Sequence, residues 1–303
     1  MRKEFAQHIE KLALENKSII FITGDLGFMA LENIQQAIGE RFINGGVSEQ
    51  NIVTMAAAMA SEGLIPICYS IAPFIAFRPA EQIRLDVCLH NMNVKIVGNG
   101  GGYGYGIMGA THHAIEDIAV LSSFQNMKCF VPFCNEDVDK TIDAMFAYKG
   151  PSYLRLGYGA KLQNLEIPAF SPIRQLTKGD KITIVGMGPV IINALKAIEQ
   201  QFQQIADVFV VSEIPILQLT QELHKSISKT GKLLVIEEHV SRGGIGENLA
   251  SLILKSNINC TYGHLCAGGY INGLYGDQSY HQQVNGLDVD SIAKQIKKIL
   301  HEQ

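Results

Sequence analysis

From residue 18 onward the chain alternates short apolar runs with longer stretches whose apolar positions recur every three or four residues. "SIIFITG", "IPICYS", "VKIVGNG", "KCFVPF" and "SYLRLG" are short and rich in β-branched or aromatic residues, and they read as strands. Between them "EQNIVTMAAAMASEG", "PAEQIRLDVCLHN", "IEDIAVLSSF" and "NEDVDKTIDAMFAYK" read as helices. Strands alternating with helices predict a parallel sheet covered on both faces. Residues 160 to 177, "AKLQNLEIPAFSPIRQLT", lose the period, contain two prolines and read as a linker. The alternation restarts with "KITIVGMG", "VIINALKAIEQQF", "ADVFVVSEI", "KLLVIEEH" and "IGENLASLILKS", and closes on the helix "DVDSIAKQIKKIL". The expected architecture is α/β, with two parallel-sheet domains at 1–160 and 178–303 joined by a linker at 161–177.

Composition narrows the function. In 303 residues, 47% hydrophobic and 18% charged, there is enough apolar surface for two cores and for subunit contacts. A net charge of -4 without any Lys/Arg run leaves no electrostatic footprint for nucleic acid or anionic lipid. The N-terminal "MRKEFAQHIEKLALENK" is a charged amphipathic helix, not a signal peptide, and no run reaches transmembrane length, so a cytoplasmic location is expected. The six cysteines form no CxxC pair and no zinc spacing; they read as buried free thiols, and no metal site is predicted in this chain.

Ligands of parallel sheets gather beyond the carboxyl ends of the strands, where Asp25, the glycine-rich loop after Val97 and Arg155 fall. The stretch "KITIVGMGPVIINALKAI" has two glycines of a dinucleotide turn, but the third is missing and no acidic residue follows at the ribose position. "GNGGGYGYGIMGATHH" either lets backbone approach a ligand closely or is simply a long turn. Its last two residues, His112 and His113, cannot both face one ligand; one is a catalytic candidate and the other a capping or solvated residue. Glu49 stands where a loop becomes a helix of Ala and Met. The helix macrodipole and Ser48 as N-cap account for its position. They do not account for the close packing that such a helix implies, which would leave the carboxylate partly desolvated.

Three segments then line up in one order: "ITGDLG", "NGGVSEQNIVTMAAAMASEGLIPICYSIAPFIAFRPAEQI" and "GATHHAIEDIAVLSSFQNMKCFVPFCNEDV". Together they resemble the pyrimidine-binding domain of transketolase-like thiamine diphosphate enzymes. "KLLVIEEHVSRGGIGENLASLIL" and "GLDVDSIAKQIKKIL" are similar to the C-terminal domain of that family. The resemblance implies that Glu49 hydrogen-bonds a ring nitrogen of the cofactor's aminopyrimidine and favours its imino tautomer. It implies that Phe74 and Phe77 hold the ring by stacking, although Phe77 equally suits a core position. His112 matches a histidine facing the substrate, and Asp25 an acidic residue near the substrate hydroxyls, with a plain turn residue as the alternative.

The same resemblance implies a missing half. The family's diphosphate-binding domain carries Gly-Asp-Gly and, about thirty residues on, an Asn, which hold Mg²⁺ and the diphosphate; this chain has no such arrangement. A partner subunit carrying that domain is therefore expected, in an α2β2 assembly. The implied activity is transfer of a two-carbon ketol unit between sugars. The rival readings are a 1-deoxyxylulose-phosphate-synthase-like or keto-acid-dehydrogenase-like subunit and a catalytically silent assembly partner. Of the family's phosphate-gripping positions Arg2 keeps one, while Met29, Gly100, Met108 and Tyr158 replace Ser, His, Asp and a second Arg, with Arg155 as a substitute nearby. A donor or acceptor without the usual terminal phosphate is expected.

Overall fold

The computed structural model describes residues 1–27, 30–159, 165–202 and 205–301. Its strands in chain order are β1 (Ile19–Thr23), β2 (Phe42–Asn44), β3 (Ile65–Ile71), β4 (Lys95–Asn99), β5 (Lys128–Phe130), β6 (Ser152–Leu156), β7 (Ile173–Thr177), β8 (Ile182–Met187), β9 (Ala206–Val211), β10 (Glu213–Ile214), β11 (Lys232–Glu237) and β12 (Thr261–Leu265). Among the described residues they form a seven-stranded sheet, β10-β5-β6-β4-β3-β1-β2, and a five-stranded sheet, β12-β11-β8-β9-β7. All pairings are parallel except β10 with β5 and β7 with β9. Every residue of β1, β4, β6, β8 and β9 is buried, as expected of strands covered on both faces by helices. This is the expected fold class. No helix among the described residues is long and apolar enough to cross a membrane.

Several details differ from the sequence reading. Residues 173–177, read as the end of a linker, are β7, an antiparallel edge strand with Ile173 opposite Val211. Only its first two residues are buried, so its apolar pattern is weak. Ala160 and residues 161–164 lie outside the described residues. The run "ADVFVVSEI" is not one strand: β9 ends at Val211, and β10 crosses to the other sheet to pair with β5. The helix read from Pro79 is preceded by another, Ala72–Phe77, and continues as a π-helical stretch, Ile83–Leu89. Pro73 in its first turn suits a helix start, because that position lacks an intrahelical acceptor anyway. Short elements such as β2 and Glu32–Ile38 fall below the length at which periodicity can be read.

The two halves are welded together. Arg174 on β7 donates from Nη1 and Nη2 to the two oxygens of Asp137, both at 2.6 Å, and from Nη2 to Ser212 Oγ at 2.6 Å. Asp137 is fully buried and Arg174 nearly so, and the guanidinium also lies over the rings of Phe133 and Phe170. One apolar cluster runs through both halves, joining Ile20, Ile52 and Val87 to Val185, Phe209 and Leu249. The cysteines are free; Cys68, Cys88, Cys129 and Cys134 are buried, and burial pushes the Cys68 thiol up to about 12. Arg174→Gln leaves Asp137 buried without its countercharge and should lower unfolding free energy by about 3–5 kcal/mol. The midpoint of denaturant unfolding checks this; a loss under about 1 kcal/mol would mean that water reaches the pair.

Candidate active site

The carboxyl end of the first sheet carries the candidate residues. After β2 the chain turns through Gly45 and Gly46 into the helix Glu49–Ser61. A side chain at Gly45 would collide with Ile52, so glycine is needed for the helix start to close on the strand. Ser48 does not cap this helix; its Oγ donates to Gly45 O at 2.6 Å. Glu49 is 4% exposed, although it opens the helix. Capping and the dipole alone would not bury it so fully, and the helix face behind it, Ile52, Val53, Ala56 and Ala57, is core.

Arg78 meets this carboxylate. Its Nη1 donates to both Glu49 oxygens at 3.0 and 2.9 Å, and Ser70 Oγ lies 3.4 Å from Oε1. The same guanidinium sits 3.9 Å above the centroid of Phe74, four residues back on the chain. His112 packs edge-on to Phe74 with centroids 5.1 Å apart, and its Nδ1 is 2.9 Å from Thr111 Oγ1. Tyr105 stands edge-on to His112 at 5.8 Å, its hydroxyl accepting from Asn99 Nδ2 at 2.8 Å. Burial raises the Tyr105 pKa, opposed by that hydrogen bond and by the charge of Arg2.

The structure thus brings Glu49, Phe74 and His112 into one cluster, with Arg2 in electrostatic reach through Tyr105 and Tyr69. Asp25 lies just past the end of β1, and among the described residues its hydrogen bonds do not reach that cluster. It takes a left-handed φ of 29°, exchanges hydrogen bonds with Asn44, and lines a cleft of about 250 Å³ that shares Glu32 with a second cleft, about 420 Å³, reached by Arg2. Phe77 is exposed at the end of its helix and so is not a core residue. Arg155 corrects the sequence reading. It is 5% exposed, donates from Nη2 to Ala114 O at 2.7 Å and Glu238 O at 2.9 Å, and pairs through Nε with Asp117 at 3.1 Å. A guanidinium this buried and engaged with backbone and Asp117 is a structural tie more than a grip for a substrate phosphate. Met29 lies outside the described residues; Met108 and Tyr158 are exposed, beside Val47 and Ile107.

Sequence reasoning missed Arg78 and Glu238. Arg78 had a signal, the i, i+4 spacing from Phe74. Glu238, in the second half, had none, because its partners come from distant segments. It accepts from Tyr103 N at 2.7 Å, from Gln278 Nε2 at 2.9 Å and from Gln282 Nε2 at 2.6 Å. Gly102 has φ 67°, and a side chain there would strike the Glu238 carboxylate, so this glycine is present for close approach. Burial raises the Glu238 pKa, against the hydrogen bonds it accepts. His113 is the buried member of the histidine pair: Nε2 donates to Gly106 O at 2.6 Å, which leaves Nδ1 to accept from Tyr270 at 3.1 Å. It does not cap a helix or meet solvent.

Set beside known proteins, the chain matches the family description "Transketolase, pyrimidine binding domain" over residues 1–160 and "Transketolase, C-terminal domain" over 172–267. The chain belongs to the transketolase family, which implies thiamine diphosphate as the cofactor, and it is a transketolase-like enzyme subunit. It is 33% identical to a subunit of the apulose-4-phosphate transketolase of Actinobacillus succinogenes, over 84% of this chain and 83% of that one. A solved structure described as a split gene transketolase, inactive beta4 tetramer, superposes with TM-score 0.85 at 27% identity, covering 99% of this chain and 97% of that one. A 1-deoxy-D-xylulose-5-phosphate synthase of Clostridium perfringens is 27% identical over 98% of this chain but only 48% of its own length.

Burial lowers the pKa of His113 from its ordinary 6.5, and His239 and His281, which flank the same loop, shift the same way. All three are neutral when packed. Below 6.5 the unfolded chain binds protons that the folded chain refuses, so their contribution is complete above that pH and is lost as pH falls. Melting temperatures of wild type and His113→Asn should therefore differ by a constant amount above pH 7 and converge towards pH 5.5, roughly one unit either side of the ordinary value. Glu238 acts in the opposite sense, but equally in both proteins. A difference independent of pH would mean that His113 titrates alike in the folded and unfolded chain.

Proposed function

We propose that this chain is the cofactor-activating subunit of a split, thiamine diphosphate-dependent transketolase-like enzyme that transfers a two-carbon ketol unit between sugars. The observation that carries the reading is the buried carboxylate of Glu49 joined through one guanidinium to the ring of Phe74, with the imidazole of His112 edge-on to that ring. Those residues fit an aminopyrimidine: Glu49 offers acceptor oxygens with little water to compete, Phe74 a stacking face, and Phe77 a second exposed ring on the same short helix. The names of its relatives, one a transketolase subunit and the other a split gene transketolase, support a partner chain; on this reading that partner brings the diphosphate-binding domain and Mg²⁺, in an α2β2 assembly in the cytoplasm. Functionally the chain divides into a pyrimidine-binding part, 1–160, and a C-terminal part, 178–303. The exposed Val47, Phe77, Ile107, Met108 and Tyr158 beside the site suit such a contact.

Bound thiamine diphosphate supplies the nucleophilic carbon and the electron sink for breaking the donor's carbon–carbon bond. The chain's own work is proton handling and orientation. Glu49 holds a proton between its oxygens and the ring nitrogen, and partial burial makes that sharing easier than in water. His112, with Nδ1 on Thr111, presents Nε2 to the reacting oxygen as acceptor or donor. Asp25, held by Asn44, receives sugar hydroxyls, and Arg2 adds positive charge near Tyr69 and Tyr105. Exposed Met108 and Tyr158 stand where the family keeps phosphate-gripping side chains, so on this reading at least one natural substrate lacks the usual terminal phosphate. The relative's own substrate name is a phosphate ester, and this last point rests on those replacements alone.

Coexpression with the chain that carries Gly-Asp-Gly and its Asn, followed by a donor screen, tests the activity. Ketoses should serve; a complex that consumes 2-keto acids instead would favour the synthase-like reading to which the Clostridium relative points. In the reconstituted complex Glu49→Gln should assemble normally and slow exchange of the cofactor's thiazolium proton by about 10²-fold or more. Unchanged exchange would leave Glu49 a helix-start residue and this chain an assembly partner. The isolated chain should bind thiamine diphosphate with Mg²⁺ weakly by calorimetry; sub-micromolar affinity, roughly -8 kcal/mol or better, would contradict the split arrangement.

A further inference from the structure

Arg78 stands on the ground that the reading above assigns to the cofactor's pyrimidine. Its guanidinium is flat, rests 3.9 Å over Phe74, and donates from Nη1 to both Glu49 oxygens. A pyrimidine that stacks on Phe74 and bonds to Glu49 needs the same face and the same acceptors. The two cannot be there together. We propose that Arg78 is a place-holder, which occupies the pyrimidine subsite of the cofactor-free chain and is displaced when the ring binds. The proposal rests on Glu49 and Phe74 being that subsite.

Two observations separate a place-holder from an ordinary structural ion pair. The first is the imbalance of burial: Glu49 is 4% exposed and Arg78 is 43% exposed. The carboxylate is fixed in the core, whereas the guanidinium reaches it from the solvent side on a long stem. The second is anchorage. Ala72, Pro73, Ile75 and Ala76 hold the helix in place, and Arg78 follows its last turn, so its side chain can rotate outward without repacking anything buried. Arg174 shows the contrast: both it and its carboxylate are buried, and neither can leave.

The arrangement has a physical reason. A carboxylate this buried is costly to leave without a countercharge. Arginine is the side chain that both stacks on a ring and donates to a carboxylate. It therefore keeps the subsite open and the Glu49 oxygens hydrogen-bonded until a ring with the same two properties arrives. The consequence is competition: the ring binds only the fraction of molecules in which Arg78 has swung away.

The test uses the full chain and the probe 4-amino-5-hydroxymethyl-2-methylpyrimidine, which lacks the diphosphate and so needs no partner. Ligand-observed NMR titration should show Arg78→Met binding the probe on the order of tenfold more tightly than wild type. Equal or weaker binding by the variant overturns the proposal while leaving the pyrimidine site intact. A probe that binds neither form overturns both the proposal and the reading beneath it. Wild type alone gives a second measurement. Saturating probe should move the Arg78 side-chain N–H resonances towards those of a solvent-exposed arginine, and resonances that stay put overturn displacement whatever the variant does.

Discussion

Arg155 ends a central strand of the first sheet where no water can solvate it, so its donors must be met by protein. Nη2 donates to Ala114 O at the end of the glycine-rich loop and to Glu238 O just past β11 in the other sheet, while Nε lies in an ion pair with Asp117 but makes no hydrogen bond. Tyr153, two positions back on β6, donates to Asp117 at 2.7 Å. One guanidinium therefore fixes three separate pieces of chain. The loop that carries His112 is held at one end by it and, near its middle, by Glu238 through Tyr103 N. The position of the imidazole is thus set from the second sheet as much as from the first.

This gives the C-terminal half a job that its own chemistry does not suggest. Glu237 and Glu238 are adjacent and point different ways. Glu237 accepts from Ile245 N and Gly246 N, both at 2.9 Å, at the start of the helix Ile245–Lys255. Glu238 turns to the glycine loop and to Gln278 and Gln282 of the helix Gln278–Val284. His239 next to them is neutral and tautomer-locked, with Nδ1 donating to Val240 O and Nε2 accepting from Ala119 N. A run of three polar residues at a strand end serves as a bracket between domains. Burial and full hydrogen bonding are what keep such a bracket rigid.

How much of this was legible in the sequence depends on the range of the interaction. The sheets, their order of alternation and the Gly-Val-Ser-Glu-Gln turn are local patterns, and local periodicity reveals them. Glu49, Phe74 and His112 were found because family motifs mark them, and the fold does bring them together. Arg155 was misread because strand-end position shows which edge a residue lies on, not whether it faces solvent or the neighbouring sheet. Arg78 was passed over because a cation after a helix normally means a solvated end. β7 and β10 were lost since strands of five and two residues at sheet edges owe their existence to a partner, not to their own pattern.

β10 decides where this polypeptide can be cut. The two residues Glu213 and Ile214 leave the second sheet and close the outer edge of β5, with Lys128 and Glu213 bonded at 2.6 Å across the seam. If the chain were severed between its two matched domains and the halves separated, β5 would present an unpaired strand edge, the usual template for sheet-to-sheet aggregation. Asp137 would lose Arg174 at the same stroke. The two domains are therefore one unit of inheritance. This stretch cannot be divided between β6 and β7 without exposing what the fold was built to cover.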